Sequence, residues 1–289
     1  MRTKHMLEVF DERRCELGEG PTSRGNSNSL VSWVDILGKR VLWRDSITHE
    51  TGEFSTTSDV GFAVPKSGDG YVFGSGKSLM SRGSDGTEQE IFQCEQTSDV
   101  PLGTAVRWND AKVSPLGDLF AGSMSNEGTL NAGKLYKISK SFETKELLSP
   151  VSISNGLDWS ASGDLFFYID TLSYRLDVFD HANGSISNRR PLINFDPDLG
   201  MPDGMCMDSE DGIWVAFFGG SKIVRYSSHG ESSMIIPMPV KNATSCAFAG
   251  QNLDQLIITT AKITDEDSKV SGMTFVATPG VKGKATIEF

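Results

Sequence analysis

The sequence predicts an all-β protein, a six-bladed β-propeller built from four-stranded antiparallel blades. Three observations predict it. Apolar anchors recur at Leu30, Tyr71, Leu119, Leu165, Ile213 and Leu256, 41 to 48 residues apart, which is the span of one propeller blade. Each anchor opens a short segment with period-two apolar character: LVSWVD, YVFGSG, LFAGSM, LFFYID, IWVAFF and LIITTA. These segments are rich in the β-branched and aromatic residues that suit strands. No long stretch has an apolar period near 3.6 residues with helix caps, which argues against crossover helices and a βαβ architecture.

The elements follow in order. The segment from Met6 to Phe10 is expected to add a strand to the last blade and lock the ring. Each later unit runs from an anchored strand through a polar turn, such as GKR, SDG, HANGS or SSHGE, into the next strand. Closing six such units into a ring removes the sheet edges that an open array would leave unpaired. A two-sheet sandwich is the main structural rival, and it does not account for six repeats at one period. No linker divides the chain, so residues 1–289 are read as one propeller domain.

Composition agrees with many short strands. The chain has 289 residues, 38% hydrophobic, with 30 glycines and 11 prolines. It is long enough to bury a large core. A formal net charge of -11 argues against a nucleic-acid partner, which needs basic patches to meet phosphates. Cys15, Cys94, Cys206 and Cys246 are far apart and form no zinc spacing, so reduced, mostly buried thiols are expected. The charged opening MRTKHMLEVFDERR has no secretory core, and no run approaches the ~18 apolar residues of a membrane span. The expected setting is cytoplasmic, without a membrane partner.

About ten residues ahead of each anchor, a Gly- or Pro-marked turn carries a polar residue. These are Glu19, Arg107 with Asn109, Asn155, Asp203, and Ser245 after Thr244. Residues at one phase of a closed repeat reach one place, so they are expected to meet at one mouth of the channel. Repeat two offers only Gly61 there, which would leave an open side for substrate. Taken singly, an Asn before Gly or an Asp after Pro is a common turn residue. Glu19, Asn155 and Asp203 together make an all-oxygen set of the kind that hard divalent cations prefer. Three protein ligands would leave positions open for water or substrate, which favours catalysis. His5, His49, His181 and His229 are out of phase, and no Gly-x-Ser-x-Gly elbow is present.

The segments at these positions resemble the senescence marker protein (regucalcin), gluconolactonase and luciferin-regenerating enzyme family, with regucalcin-type gluconolactonases nearest. LGEGP from Leu17, RWNDAKVSPLGDLFAGSM from Arg107, SISNGLDWS around Asn155, YIDTLSYRLDVFD from Tyr168, PDGMCMDSEDGIWVA from Pro202 and NATSCAFAG from Asn242 follow the family's order along the chain. The resemblance implies that Glu19, Asn155 and Asp203 bind one divalent metal ion, with Ca²⁺ expected ahead of Zn²⁺, Mn²⁺ and Mg²⁺. It implies that Arg107, Asn109 and Glu127 contact a sugar lactone and that Asp203 is also the catalytic base. The implied activity is metal-dependent opening of aldonolactones, such as glucono-1,5-lactone, to aldonic acids, by a monomer or weak homodimer. The alternatives are a calcium-dependent phosphotriesterase-like hydrolase and a non-catalytic calcium-binding propeller. Two departures bear on specificity: PTS replaces the aromatic pattern after Glu19, and the segment from Glu127 to Lys134 is short.

Overall fold

The computed structural model describes residues 7–24, 28–263 and 268–289. Six four-stranded antiparallel sheets stand around a central channel as a six-bladed β-propeller. The innermost strands of blades one to six are Gly18–Arg24, Val60–Pro65, Val106–Val113, Ser154–Trp159, Met201–Met207 and Ala243–Ala249. Each sequence anchor falls on the second strand of its blade. Among the described residues the only helical segments are two single 3₁₀ turns, Thr171–Ser173 and Pro197–Leu199. No helix is long and apolar enough to cross a membrane.

Blade six is completed by the other end of the chain. Leu7–Asp11 pairs antiparallel with Thr274–Ala277, beside Gln255–Thr260 and Ala243–Ala249. The expected locking strand is therefore present from Leu7 onward; Met6 lies outside the described residues. Pairing the two ends removes the open edge that a chain of six sheets would otherwise expose.

The core is divided among the seams between blades. Six apolar clusters occur, one for each pair of neighbouring blades, including the seam between blade six and blade one. The second strands are therefore buried on both faces: Ile213–Phe218 is buried from Ile213 to Phe217, and Leu119–Ser125 throughout. The expected period-two pattern gives way to continuous burial there, because each sheet has a neighbour on either side. Trp33, Trp108, Trp159 and Trp214 are the largest fully buried side chains and anchor four of these seams.

The C-terminal segment is a feature that the repeat pattern does not reveal. From Lys282 to Phe289 it crosses the far mouth of the channel and touches every blade. The Lys282 carbonyl accepts from Ser209 N–H of blade five (2.8 Å), and Gly283 N–H donates to Leu253 of blade six (2.7 Å). Thr286 meets Ser23 of blade one at 2.7 Å. Phe289 bonds Pro65 and Ser67 of blade two through its backbone and packs on Phe142 of blade three. Lys284 reaches blade four, donating to Asp158 Oδ1 at 2.9 Å and to the Trp159 carbonyl.

Asp158 is thereby held between two ammonium groups, since Lys112 Nζ donates to its other oxygen at 2.9 Å. Burial works against the Asp158 carboxylate, but Lys112, Lys284 and their hydrogen bonds outweigh it and hold its pKa well below the usual range. Lys284→Met removes one of these partners and is expected to destabilise the fold by about 2 kcal/mol. Because the Asp158 pKa is depressed on folding, this contribution is fully present above the unfolded value near pH 4 and is lost in stronger acid. Denaturant midpoints of both proteins at pH 7 and in acid check this: the gap should be largest at pH 7, and an equal gap in strong acid would contradict it.

Candidate active site at one mouth of the channel

Every innermost strand carries a β-bulge at the phase picked out in the sequence. One extra residue sits between Glu19 and Thr22, Val60 and Phe62, Trp108 and Ala111, Asn155 and Leu157, Pro202 and Met205, and Ala243 and Ser245. The polar residues therefore lie within strands, near their starts, and not in the turns expected from their Gly and Pro neighbours. A bulge bends the strand and re-aims its side chains. Six bulges at one height turn a set of polar groups toward one mouth.

The glycines serve close approach between blades. A Cβ on Gly156 would lie 2.7 Å from the Asp203 carbonyl oxygen, and one on Gly204 would lie 2.1 Å from Ser245 Oγ. Neither residue has positive φ, so neither is the turn filler that Asn-Gly and Asp-Gly suggest. Gly61 corrects a second expectation. A Cβ there would lie 2.3 Å from the Trp108 carbonyl oxygen, so the position is closed by blade three and offers no open side.

Glu19, Arg107, Asn109, Asn155 and Asp203 are all buried, and hydrogen bonds join four of the blades' contributions. Arg107 Nη1 donates to Asn109 Oδ1 (2.7 Å) and to the Trp108 carbonyl (2.9 Å). Asn109 Nδ2 donates to Asn155 Oδ1 (2.8 Å) and to the Ser154 carbonyl (2.7 Å). Asn155 Nδ2 donates to Thr171 Oγ1 (2.8 Å), whose hydroxyl donates to the Pro202 carbonyl (2.8 Å). The chain ends one residue from Asp203, whose carboxyl lies close to that of Glu19. Both N–H groups of the Asn109 amide are thus engaged, and its oxygen keeps one lone pair.

The acids are electrostatically costly. Burial, followed by the Asp203 and Asp110 carboxylates, holds the Glu19 pKa well above its usual range. Burial and Asp110 do the same to Asp203. Asp110 itself is pushed up to about 6 by burial, against the pull of Lys112. Arg107 feels burial first, countered by Asp59, Glu19 and Asp203 in that order. Without a cation, burial and the neighbouring carboxylates therefore favour the protonated forms of both acids.

Asp59, just ahead of blade two's innermost strand, is the site residue that the sequence pattern missed. It stands two residues before Gly61, the position to which counting ten residues back from Tyr71 leads. Glu127 lies in the exposed turn after Leu119–Ser125, and its N–H donates to Ser125 Oγ at 3.1 Å. Strand polarity puts that turn at the same end of the ring as Glu19, on the rim and outside the buried cluster. Thr244 Oγ1 donates to the Gly18 carbonyl at 2.5 Å, tying blade six to blade one, and Ser245 lines the channel. His181 is buried against Trp159 and Phe120 with Nδ1 at 2.7 Å from the Gly163 carbonyl. His49 and His229 are exposed in turns; His5 lies outside the described residues.

Among the described residues no three His, Cys, Asp or Glu side chains converge on a common centre. A cation at this mouth would therefore take two carboxylates and an amide oxygen. That donor set suits a hard divalent ion, and an acid pair short of positive charge is the environment such an ion would relieve.

A six-bladed propeller with a buried acid–amide–guanidinium cluster at one mouth is the class that this fold and site define. The chain belongs to the SMP-30/Gluconolactonase/LRE-like family, whose model matches residues 17–262. It is 33% identical to regucalcin of Danio rerio over 288 residues, covering 96% of each chain. Among solved structures it is similar to a luciferin-regenerating enzyme, at 29% identity, a TM-score of 0.88, and coverage of 98% of this chain and 99% of that one. It also shares the fold of a calcium-binding protein, regucalcin, from Agrobacterium tumefaciens, at 24% identity, a TM-score of 0.89, and coverage of 99% and 97%.

The raised acid pair has a sign-specific consequence for the cation-free protein. Groups whose pKa rises on folding bind more protons in the native state, so stability is lost as pH climbs above the ordinary carboxylate range near 4. Asp203→Asn removes one of the competing charges. At pH 8 with chelator it is expected to raise stability by about 1–3 kcal/mol, and to flatten the decline between pH 5 and pH 8. Urea midpoints at the two pH values test this, and a less stable Asp203→Asn at pH 8 would contradict the assignment.

Proposed function

We propose that this protein hydrolyses sugar lactones, opening aldonolactones such as glucono-1,5-lactone to aldonic acids with the help of one divalent cation. The observation that carries the reading is the buried pair of acids, Glu19 and Asp203, beside the Asn155 amide oxygen at a channel mouth. Membership of a family named in part for gluconolactonase supports the reaction class. The description of the Agrobacterium tumefaciens protein as calcium-binding supports Ca²⁺.

In this reading Glu19, Asn155 and Asp203 hold the ion. When bound, the ion supplies Lewis-acid polarisation of the lactone carbonyl. Asn109 fixes the Asn155 amide so that its oxygen faces the site, and the residual lone pair of Asn109 is free to accept one sugar hydroxyl. Arg107 has its guanidinium oriented by Trp108 and Asn109 and charge-balanced by Asp59. It donates to ring oxygens and stabilises negative charge developing on the substrate. Asp203 Oδ takes the proton of the attacking water if one of its two oxygens stays outside the ion's shell. Glu127, on the rim, contacts the distal hydroxyls. The polar wall of Arg107, Asn109 and Asp59 suits a sugar better than an apolar organophosphate.

Proton release from glucono-, galactono- and xylono-lactones, with and without chelator, tests the reading. Turnover is expected to stop with chelator and return with Ca²⁺. Asp203→Ala and Asn155→Ala are expected to lower kcat by about 10²–10⁴-fold, while Arg107→Met both lowers kcat and raises KM. Chelator-insensitive turnover would exclude the cation. Calcium binding without turnover of any lactone would favour a non-catalytic cation-binding propeller, the reading closer to the description of the Agrobacterium tumefaciens protein.

The ion must displace protons from Glu19 and Asp203, so its affinity is expected to rise with pH and to fall as pH drops through their raised values. Calorimetric Ca²⁺ titrations at pH 5.5 and pH 8 check this. Equal affinities at the two pH values would show that the pair is already ionised without the cation.

A further inference from the structure

Beyond the bulges, the innermost strands enclose a cavity of about 240 Å³, lined by Asp110, Lys112, Asp158, Cys206, Cys246 and Lys284 among others. None of these side chains takes part in the proposed reaction, and two of them are thiols. Cys206 and Cys246 lie on the innermost strands of blades five and six, and their sulfur atoms are 3.6 Å apart. We propose that they are a reversible dithiol–disulfide pair, oxidised by hydrogen peroxide that enters the cavity, and that the disulfide staples blade five to blade six next to the acid cluster.

The two strands approach closely beside the pair. At Gly204 and Ser245 the two strands converge, with a Cβ on Gly204 lying 2.9 Å from Ser245 Cα. The sulfurs are already in van der Waals contact, and bond formation needs a closing movement of about 1.5 Å to the usual S–S length. Both thiols are buried from bulk solvent yet face the cavity, so a small oxidant can meet both sulfurs where a large thiol reagent cannot. Lys112 Nζ lies 3.4 Å from the Met205 carbonyl, bringing an ammonium beside Cys206. Burial and the neighbouring thiol push the Cys206 thiol well above its usual range, with Lys112 opposing them, so the pair rests as thiols. The remaining cysteines serve as internal controls: Cys15 is in the seam between blades six and one, and Cys94 in the seam between blades two and three.

The chemistry balances with one peroxide. One thiol gives up its proton as its sulfur attacks a peroxide oxygen, the O–O bond breaks, and the departing hydroxide takes that proton to leave water and a sulfenic acid. The second sulfur then displaces the sulfenic hydroxyl, forming the S–S bond. The two thiol protons end in two molecules of water.

The test uses the full-length native protein, treated with peroxide and quenched with an alkylating agent in denaturant. The number of alkylatable thiols is expected to fall from four to two. The mass of the unalkylated chain should fall by two hydrogens, and one cross-linked peptide should join Cys206 to Cys246. Dithiothreitol should restore all the thiols. C206S and C246S should each abolish the cross-link; if either fails to fold, the wild-type peptide map still decides. Retention of all the thiols, linkage of any other pair, or accumulation of a sulfinic acid at a single cysteine would overturn the proposal.

Discussion

The arrangement depends on one constraint, that no blade can bury its faces alone. Each seam holds its own apolar cluster, and six seams require six neighbours in a closed circle. Blade six has three strands from the end of the chain and takes its fourth from the beginning. Remove that strand and Phe10 goes with it, so Trp33 of blade one loses an aromatic partner across the seam to blade six. Closure also gives every innermost strand the same polarity, so equivalent positions in the repeat arrive at one mouth whatever their separation in the chain.

Position alone would put ordinary strand residues at that mouth. The bulges change this by releasing a side chain from the ladder at the same height in every blade. The result is an expensive site. Glu19 and Asp203 are buried with too little positive charge nearby, and Arg107 must answer to Asp59 as well as to them. The seams supply the stability that lets such a cluster persist. Local rules are broken where chemistry is to be done and obeyed everywhere else.

Much of this was legible in the sequence because a repeat writes its period directly into the chain. Leu30, Tyr71, Leu119, Leu165, Ile213 and Leu256 all fall on second strands, and Glu19, Asn155 and Asp203 do share a mouth. Their local setting was misread because bulges and turns draw on the same residues, Gly, Asn and Asp. Gly61 looked like a vacancy since a missing side chain has no sign of its own; only the neighbouring Trp108 backbone shows why it is missing. Asp59 was hidden by a shift of two residues. The crossing of the far mouth by Lys282–Phe289 was invisible for another reason: its partners are scattered from Ser23 to Leu253 and share no pattern. Glu127 was named by resemblance, and strand polarity places it on the rim.

The closure of blade six also sets an order of events during synthesis. Leu7–Asp11 is made long before its partner Thr274–Ala277. Domains commonly fold as the chain emerges, but here the seam between blades six and one must wait until that partner has emerged. Phe289 then docks on blade two, which was translated long before. A nascent chain therefore carries Leu7–Asp11 unpaired until Thr274–Ala277 is made, and a ribosome that stalls inside blade six leaves an open ring with its far mouth uncrossed.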